Sequence, residues 1–218
     1  ANSESSFIWD RKGELGMENK AKYEELKTPL AYQATEYDCG TTTLINALRY
    51  LFARGEICPT IYKHIMQFTL DQTNEFGEVG KGGTSVYALE FLCNWLNANS
   101  TNKGMKIICE NLPKDQISIY NEELENKIKN GGVAILRVHQ EGEHYCLLTK
   151  IDKEYAYIFD PYYLDADEYD DDEKVEMVKN RPFEFNRKVK KERIDEESKE
   201  DFALVKGKNR GIIIIEKG

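Results

Sequence analysis

Cys39 immediately precedes a segment, 41–52, in which Leu44, Ile45, Ala47, Leu48, Leu51 and Phe52 recur at helical spacing. A helix beginning at about Cys39 would aim unsatisfied backbone N–H groups and a partial positive charge at its sulfur, which lowers a thiol pKa and makes a nucleophile. Gly40 has no side chain, which leaves room for a carbonyl carbon to approach that thiol. The other four cysteines, Cys58, Cys93, Cys109 and Cys146, lie in apolar surroundings and read as small core hydrophobes. An odd number of cysteines without paired spacing fits neither a disulfide framework nor a zinc site.

A thiolate needs a base, and the chain has three histidines. Segments 144–151 and 155–159 are rich in aromatic and β-branched residues and are joined by Asp152-Lys153-Glu154, so a hairpin is expected. His144 and Asp160 then share its open end, within about one residue pair of facing each other. A carboxylate there would fix the imidazole tautomer and favour the cation with which a thiolate pairs. The alternative is a strand-end histidine that happens to meet a turn-forming Asp160-Pro161. His139, at the end of the preceding strand, is the competing base, but it has no carboxylate at comparable spacing. His64 falls beside Ile61, Ile65 and Met66 in a helical pattern and is assigned a structural place.

Gln33-Ala34-Thr35-Glu36-Tyr37-Asp38-Cys39-Gly40, followed by a helix, resembles the active-site opening of the bacteriocin-processing (double-glycine leader) peptidases, cysteine-peptidase family 39, within the papain-like group. His144-Tyr145, a strand, and Phe159-Asp160-Pro161 resemble two further motifs of that family, and Gly83-Thr84-Ser85 before a helix resembles a segment between them. The likeness runs over residues 31–165, about 60% of the chain. It implies a papain-like fold, cleavage of a peptide or isopeptide bond, and Cys39, His144 and Asp160 as a catalytic triad. It also implies Gln33 as a side-chain donor of the oxyanion hole, paired with the Cys39 backbone N–H. Read by itself, Gln33 is a polar loop residue. Thr41-Thr42-Thr43 depart from the small apolar residues usual in the family after Cys-Gly, and the transporter domain of its better-known members has no counterpart here.

Two other signals are set aside. The glycine-rich run 77–85 fails as a phosphate-binding loop, because Gly82-Gly83 separate Lys81 from Thr84 and no strand precedes it; a turn leading to an N-cap at Thr84 or Ser85 is expected. The acidic run 165–173 lacks the glycine and distant glutamate of a calcium loop and reads as a solvated surface, one that could hang over the cleft and favour basic substrates. Neither a metal nor an organic cofactor is expected.

These groups must be held by a domain, and 218 residues suffice for one. Residues 1–28 read as an N-terminal arm with a helical stretch over 18–27 that Pro29 ends, and 29–218 as the domain. Further helices are expected over 59–70, 85–97 and 121–130, then strands over 133–138, 144–151, 155–159 and 211–216, with a charged extension of mixed helix and loop over 165–210. Helices first and an antiparallel sheet second make an α+β domain, N-terminal helices packed on a sheet. The net charge of −9 argues against a nucleic-acid partner, and no apolar run reaches bilayer length. A soluble chain acting on a peptide or protein substrate is expected, cytoplasmic in preference to secreted after loss of a signal peptide. The alternatives to a hydrolase are an acyl transferase or transpeptidase on the same site, and a non-catalytic peptide-binding module of this fold.

Overall fold

The computed structural model describes residues 26–218. The arm expected over 1–28, with its helical stretch, falls almost wholly outside the described residues. Those that remain are irregular, with Lys27 Nζ donating to the Tyr50 carbonyl at 2.7 Å.

Three helices come first: α1 (Cys39–Leu51), α2 (Pro59–Phe68) and α3 (Val86–Asn99). Proline opens α2 at a position where its missing N–H is no loss. Ser85 caps α3 by accepting from Ala88 N at 3.0 Å. After β1 (Ile107–Asn111), α4 (Glu122–Lys129) is capped by Asn121, carries acids in its first turn and lysines in its last, and so matches its own dipole. The rest is mainly sheet: β2 (Val133–His139), β3 (Glu143–Ile151), β4 (Tyr155–Phe159), β5 (Val175–Met177), β6 (Arg187–Lys190), the short α5 (Lys191–Asp195) and β7 (Ile212–Lys217).

The seven strands form one sheet in the order β1-β7-β2-β3-β4-β6-β5, and every pairing is antiparallel. Helices and antiparallel sheet thus make an α+β fold. Both faces of the sheet are covered, which explains the run of four isoleucines in β7: Ile213 and Ile215 join one core with Leu44, Leu48, Leu89 and Leu147, while Ile212 and Ile214 join the other with Leu124, Ile128, Leu148 and Phe202. The first core holds α1 to α3 against the sheet. The region 165–210, expected as helix and loop outside the sheet, instead supplies β5 and β6 to its edge, and β1 is a further strand that the sequence pattern did not single out. No helix among the described residues is long and apolar enough to cross a membrane.

Candidate active site

Residues 33–38 form a compact loop because the Asp38 carboxylate accepts from Thr35 N at 2.8 Å, Thr35 Oγ1 at 2.7 Å and Ala34 N at 3.1 Å. Asp38 is therefore occupied with the loop and makes no side-chain cap on α1. The first turn of that helix keeps its N–H groups for other acceptors, and the Gly40 N–H, with the Tyr145 N–H from β3, supports negative charge on the Cys39 sulfur.

Gly40 itself has a different purpose from the one its sequence context suggests. A Cβ there would sit 2.8 Å from Thr84 Cβ and 3.2 Å from Tyr145 Cδ2, so the missing side chain lets the helix start press onto neighbouring protein rather than admit a substrate. Thr43 Oγ1, donating to the Tyr145 carbonyl at 2.9 Å, fastens the same helix to β3.

The hairpin brings His144 and Asp160 together through an irregularity. Near its tip Ile151 pairs with Ala156 and Lys150 with Tyr157, but a bulge shifts the ladder so that Leu148 faces Ile158 and Leu147 faces Phe159. Continued one step, Asp160 falls opposite Cys146, on the same strand face as His144 two residues away; the unshifted register would have put it opposite Leu147, on the other face. The ring Nε2 of His144 lies 2.8 Å from Asp160 Oδ1. That leaves Nδ1 for the side of Cys39, whose thiol and the imidazole shift each other's ionisation.

Asp160 is 0% exposed, and its burial is compensated from several directions. Tyr162 N donates to Oδ1 at 2.9 Å, Gln140 Nε2 to Oδ2 at 3.1 Å, and Arg187 Nη2 stands 3.4 Å from Oδ2. Asn186 clamps the backbone, accepting from Asp160 N at 2.7 Å and donating to its carbonyl at 2.8 Å.

The resulting electrostatics are specific. Burial pushes the Asp160 carboxyl up, but the charges of His144 and Arg187 and its hydrogen bonds outweigh this and hold it below the usual carboxylate value. Burial likewise pushes His144 down, yet Asp160 and the Cys39 sulfur raise it to about 10. For Cys39 burial pushes the thiol up, while the hydrogen bond and charge of His144, then the two backbone N–H groups, bring it below its ordinary value. A thiolate–imidazolium pair over a buried carboxylate is the state these shifts favour.

Gln33 is attached to the same assembly, since its N–H donates to the Pro161 carbonyl at 2.8 Å. Its Nε2 donates to the Thr35 carbonyl at 2.7 Å, and Oε1 is buried without a partner. The side-chain contact recorded is thus with its own loop rather than with Cys39. His139 is bound through its backbone to Ala203 and Phe202, and its ring makes no hydrogen bond to Cys39 or Asp160. His64 bonds the Thr60 carbonyl through Nδ1 at 2.9 Å and stacks on Trp95 at 4.1 Å, a structural place.

A cleft of about 350 Å³ opens at Cys39, bordered by Tyr37, the glycine turn up to Thr84, and Arg137, Glu143 and Tyr145 from the sheet. A larger cavity of about 530 Å³ lies by Tyr32, Asn186 and Arg187 and does not reach Cys39. The acidic run borders that cavity through Asp165 and Ala166 and two others beyond it, none of which includes Cys39, and Asp172 pairs with Arg193 at 2.8 Å. It does not overhang the cleft.

Sequence reasoning missed Gln140, Asn186 and Arg187. They reach Asp160 from 20, 26 and 27 positions away, in segments with no local signature, and only the sheet order brings them there. No protein-family model matches this chain, and no curated protein matches it.

Proposed function

We propose that this chain is a papain-like cysteine hydrolase that cleaves a peptide or isopeptide bond through Cys39, His144 and Asp160. The observation that carries the reading is the buried 2.8 Å contact of Asp160 with a His144 ring that faces a pKa-lowered thiol at the start of α1. The Cys39 thiolate attacks the acyl carbon, and the carbonyl electrons move onto oxygen, where the Cys39 N–H and the remaining Nε2 proton of Gln33 receive them. Collapse of that adduct breaks the C–N bond as His144 delivers its proton to the leaving nitrogen. Water, deprotonated by the now neutral His144, then releases the acid and restores the thiol. Arg187 and Gln140 keep Asp160 ionised and oriented, and Asp160 keeps His144 charged. The resemblance to the bacteriocin-processing peptidases supports the same assignment of roles.

Iodoacetamide labelling near neutral pH, mapped by mass spectrometry, tests the nucleophile. Cys39 is only 7% exposed whereas Cys58 is half-buried, so simple access predicts Cys58 as the faster residue. The proposal expects the reverse, with Cys39 labelled first, and expects Cys39→Ala to abolish cleavage of a mixed peptide library. Labelling in order of exposure would sink it.

A further inference from the structure

Arg137 lies in β2 directly opposite Tyr145 in β3, with its guanidinium carbon 5.2 Å from the Tyr145 ring centroid. It is 7% exposed, and among the described residues it forms one ion pair, to the half-exposed Glu143 through Nη2. Its Nε and Nη1 are buried with no partner among the described residues, and so is the Tyr145 hydroxyl. Unpartnered buried donors are rare, because each forfeits its hydration with nothing in return.

Both side chains border the Cys39 cleft, and both also border a second, narrow slot of about 40 Å³. Arg210, which meets Asp195 through Nη2 at 3.5 Å but whose Nε is a further buried donor without a partner among the described residues, lines that slot, and its walls are otherwise largely apolar, with Val86, Ile135 and Ile212 among them. Glu90 is the slot's carboxylate, and Lys114 adds a third cation to it. Glu36, Glu143 and Lys81 stand on the cleft side. Burial pushes the Tyr145 phenol up, so it remains a neutral donor. The Tyr145 N–H supports the Cys39 sulfur and its ring meets Gly40, so the donor group is one aromatic ring away from the nucleophile.

We infer that Arg137, Tyr145 and Arg210 form a carboxylate-binding subsite beside Cys39, and that the substrate carries a carboxylate next to the bond that is cut. The guanidinium offers Nε and Nη1 as single donors in one fixed plane, the phenol adds a third direction, and the slot has room for one small acceptor group. The source is an acidic side chain or a free chain terminus. The inference rests on Cys39 as the nucleophile, and the test separates the two.

The full chain is treated with iodoacetyl-glycine, iodoacetyl-β-alanine and iodoacetyl-4-aminobutyrate, each as free acid and as amide, and the rate of Cys39 modification is followed by mass spectrometry. For at least one spacer the acid is expected to react about tenfold faster than its amide, and the acid-to-amide ratio is expected to collapse toward 1 in Arg137→Gln. Because Arg137 is buried, Arg210→Gln at the rim serves as a second variant, expected to reduce the ratio about threefold in a protein whose thermal melt is retained. Iodoacetyl-glutamate α-amide against iodoacetyl-glutamine free acid then assigns the source, and preference for either supports the subsite. Fast Cys39 modification with equal acid and amide rates at every length overturns the subsite alone, leaving the donors to water. Slow Cys39 modification by all reagents overturns the nucleophile.

Discussion

At the scale of single residues, the assembly buries two cations, His144 and Arg187, against one carboxylate and one thiolate, so that no ion is left without a counterpart. Removing one member exposes the others to an uncompensated desolvation cost. His144→Ala is expected to slow alkylation of Cys39 at pH 6 by about tenfold or more and at pH 9 far less, since at high pH the thiol ionises without an imidazolium. His139→Ala should leave both rates alone; if only that change affects Cys39, the base has been misassigned. Gln33→Ala is expected to lower turnover roughly 10²-fold while leaving thiol reactivity intact, as loss of one oxyanion donor does. An unchanged turnover would return Gln33 to the loop contact with Thr35 in which it is found. Activity should rise with ionisation of Cys39 and fall as His144 loses its proton near pH 10, giving a pH–rate bell whose alkaline limb lies well above that of an ordinary imidazole.

Among the elements, α1 and the β3–β4 hairpin do the positioning, and they meet at Gly40. Gly40→Ala places a carbon against the branched side chain of Thr84 and the ring of Tyr145, and is expected to destabilise the fold by about 1–3 kcal/mol, the usual range for overpacking. Thr84→Gly in the same chain should recover part of it; thermal melts of both variants decide, and no recovery would place the strain elsewhere. The helix and the hairpin were legible in sequence because each carries its own period, apolar residues every three or four along α1 and β-formers on both sides of Asp152-Lys153-Glu154. The nearness of His144 and Asp160 followed from that hairpin, although their exact facing depends on a bulge that no local pattern marks. What stayed hidden was non-local. β6 is four residues long, three of them charged, and reads as surface, yet it carries Arg187 against Asp160. Gly40 was read as an opening for substrate because its partners, Thr84 and Tyr145, lie far along the chain.

For the whole molecule, the same ionisations become a dependence of stability on pH. His144 has a raised folded pKa, so its contribution is full below its unfolded value of about 6.5 and is lost as pH climbs toward the folded value. Cys39 has a lowered folded pKa, so its contribution grows from that value up to about 8.5, the unfolded thiol value. Above about 6.5 and the folded Cys39 value, up to about 8.5, the two slopes oppose and cancel, and the protein should show a plateau of melting temperature there, declining above it. Cys39→Ser removes one slope, and its melting temperature is expected to fall from about pH 6.5 upward; a plateau that survives the change would refute the ion pair. A last consequence comes from the place of β7. It lies between β1, about a hundred residues earlier in the chain, and β2, about eighty earlier, so the sheet that seats His144 cannot close until Lys217 has left the ribosome. Nascent chains ending anywhere in the preceding region expose the unpaired edges of β1 and β2 together with the apolar faces meant for Ile212 to Ile215, and loop closure on that scale is slow. The thiol at the start of α1 is thus synthesised long before the sheet that holds His144 beside it is complete, and on the proposed function its reactivity is expected to arise only then.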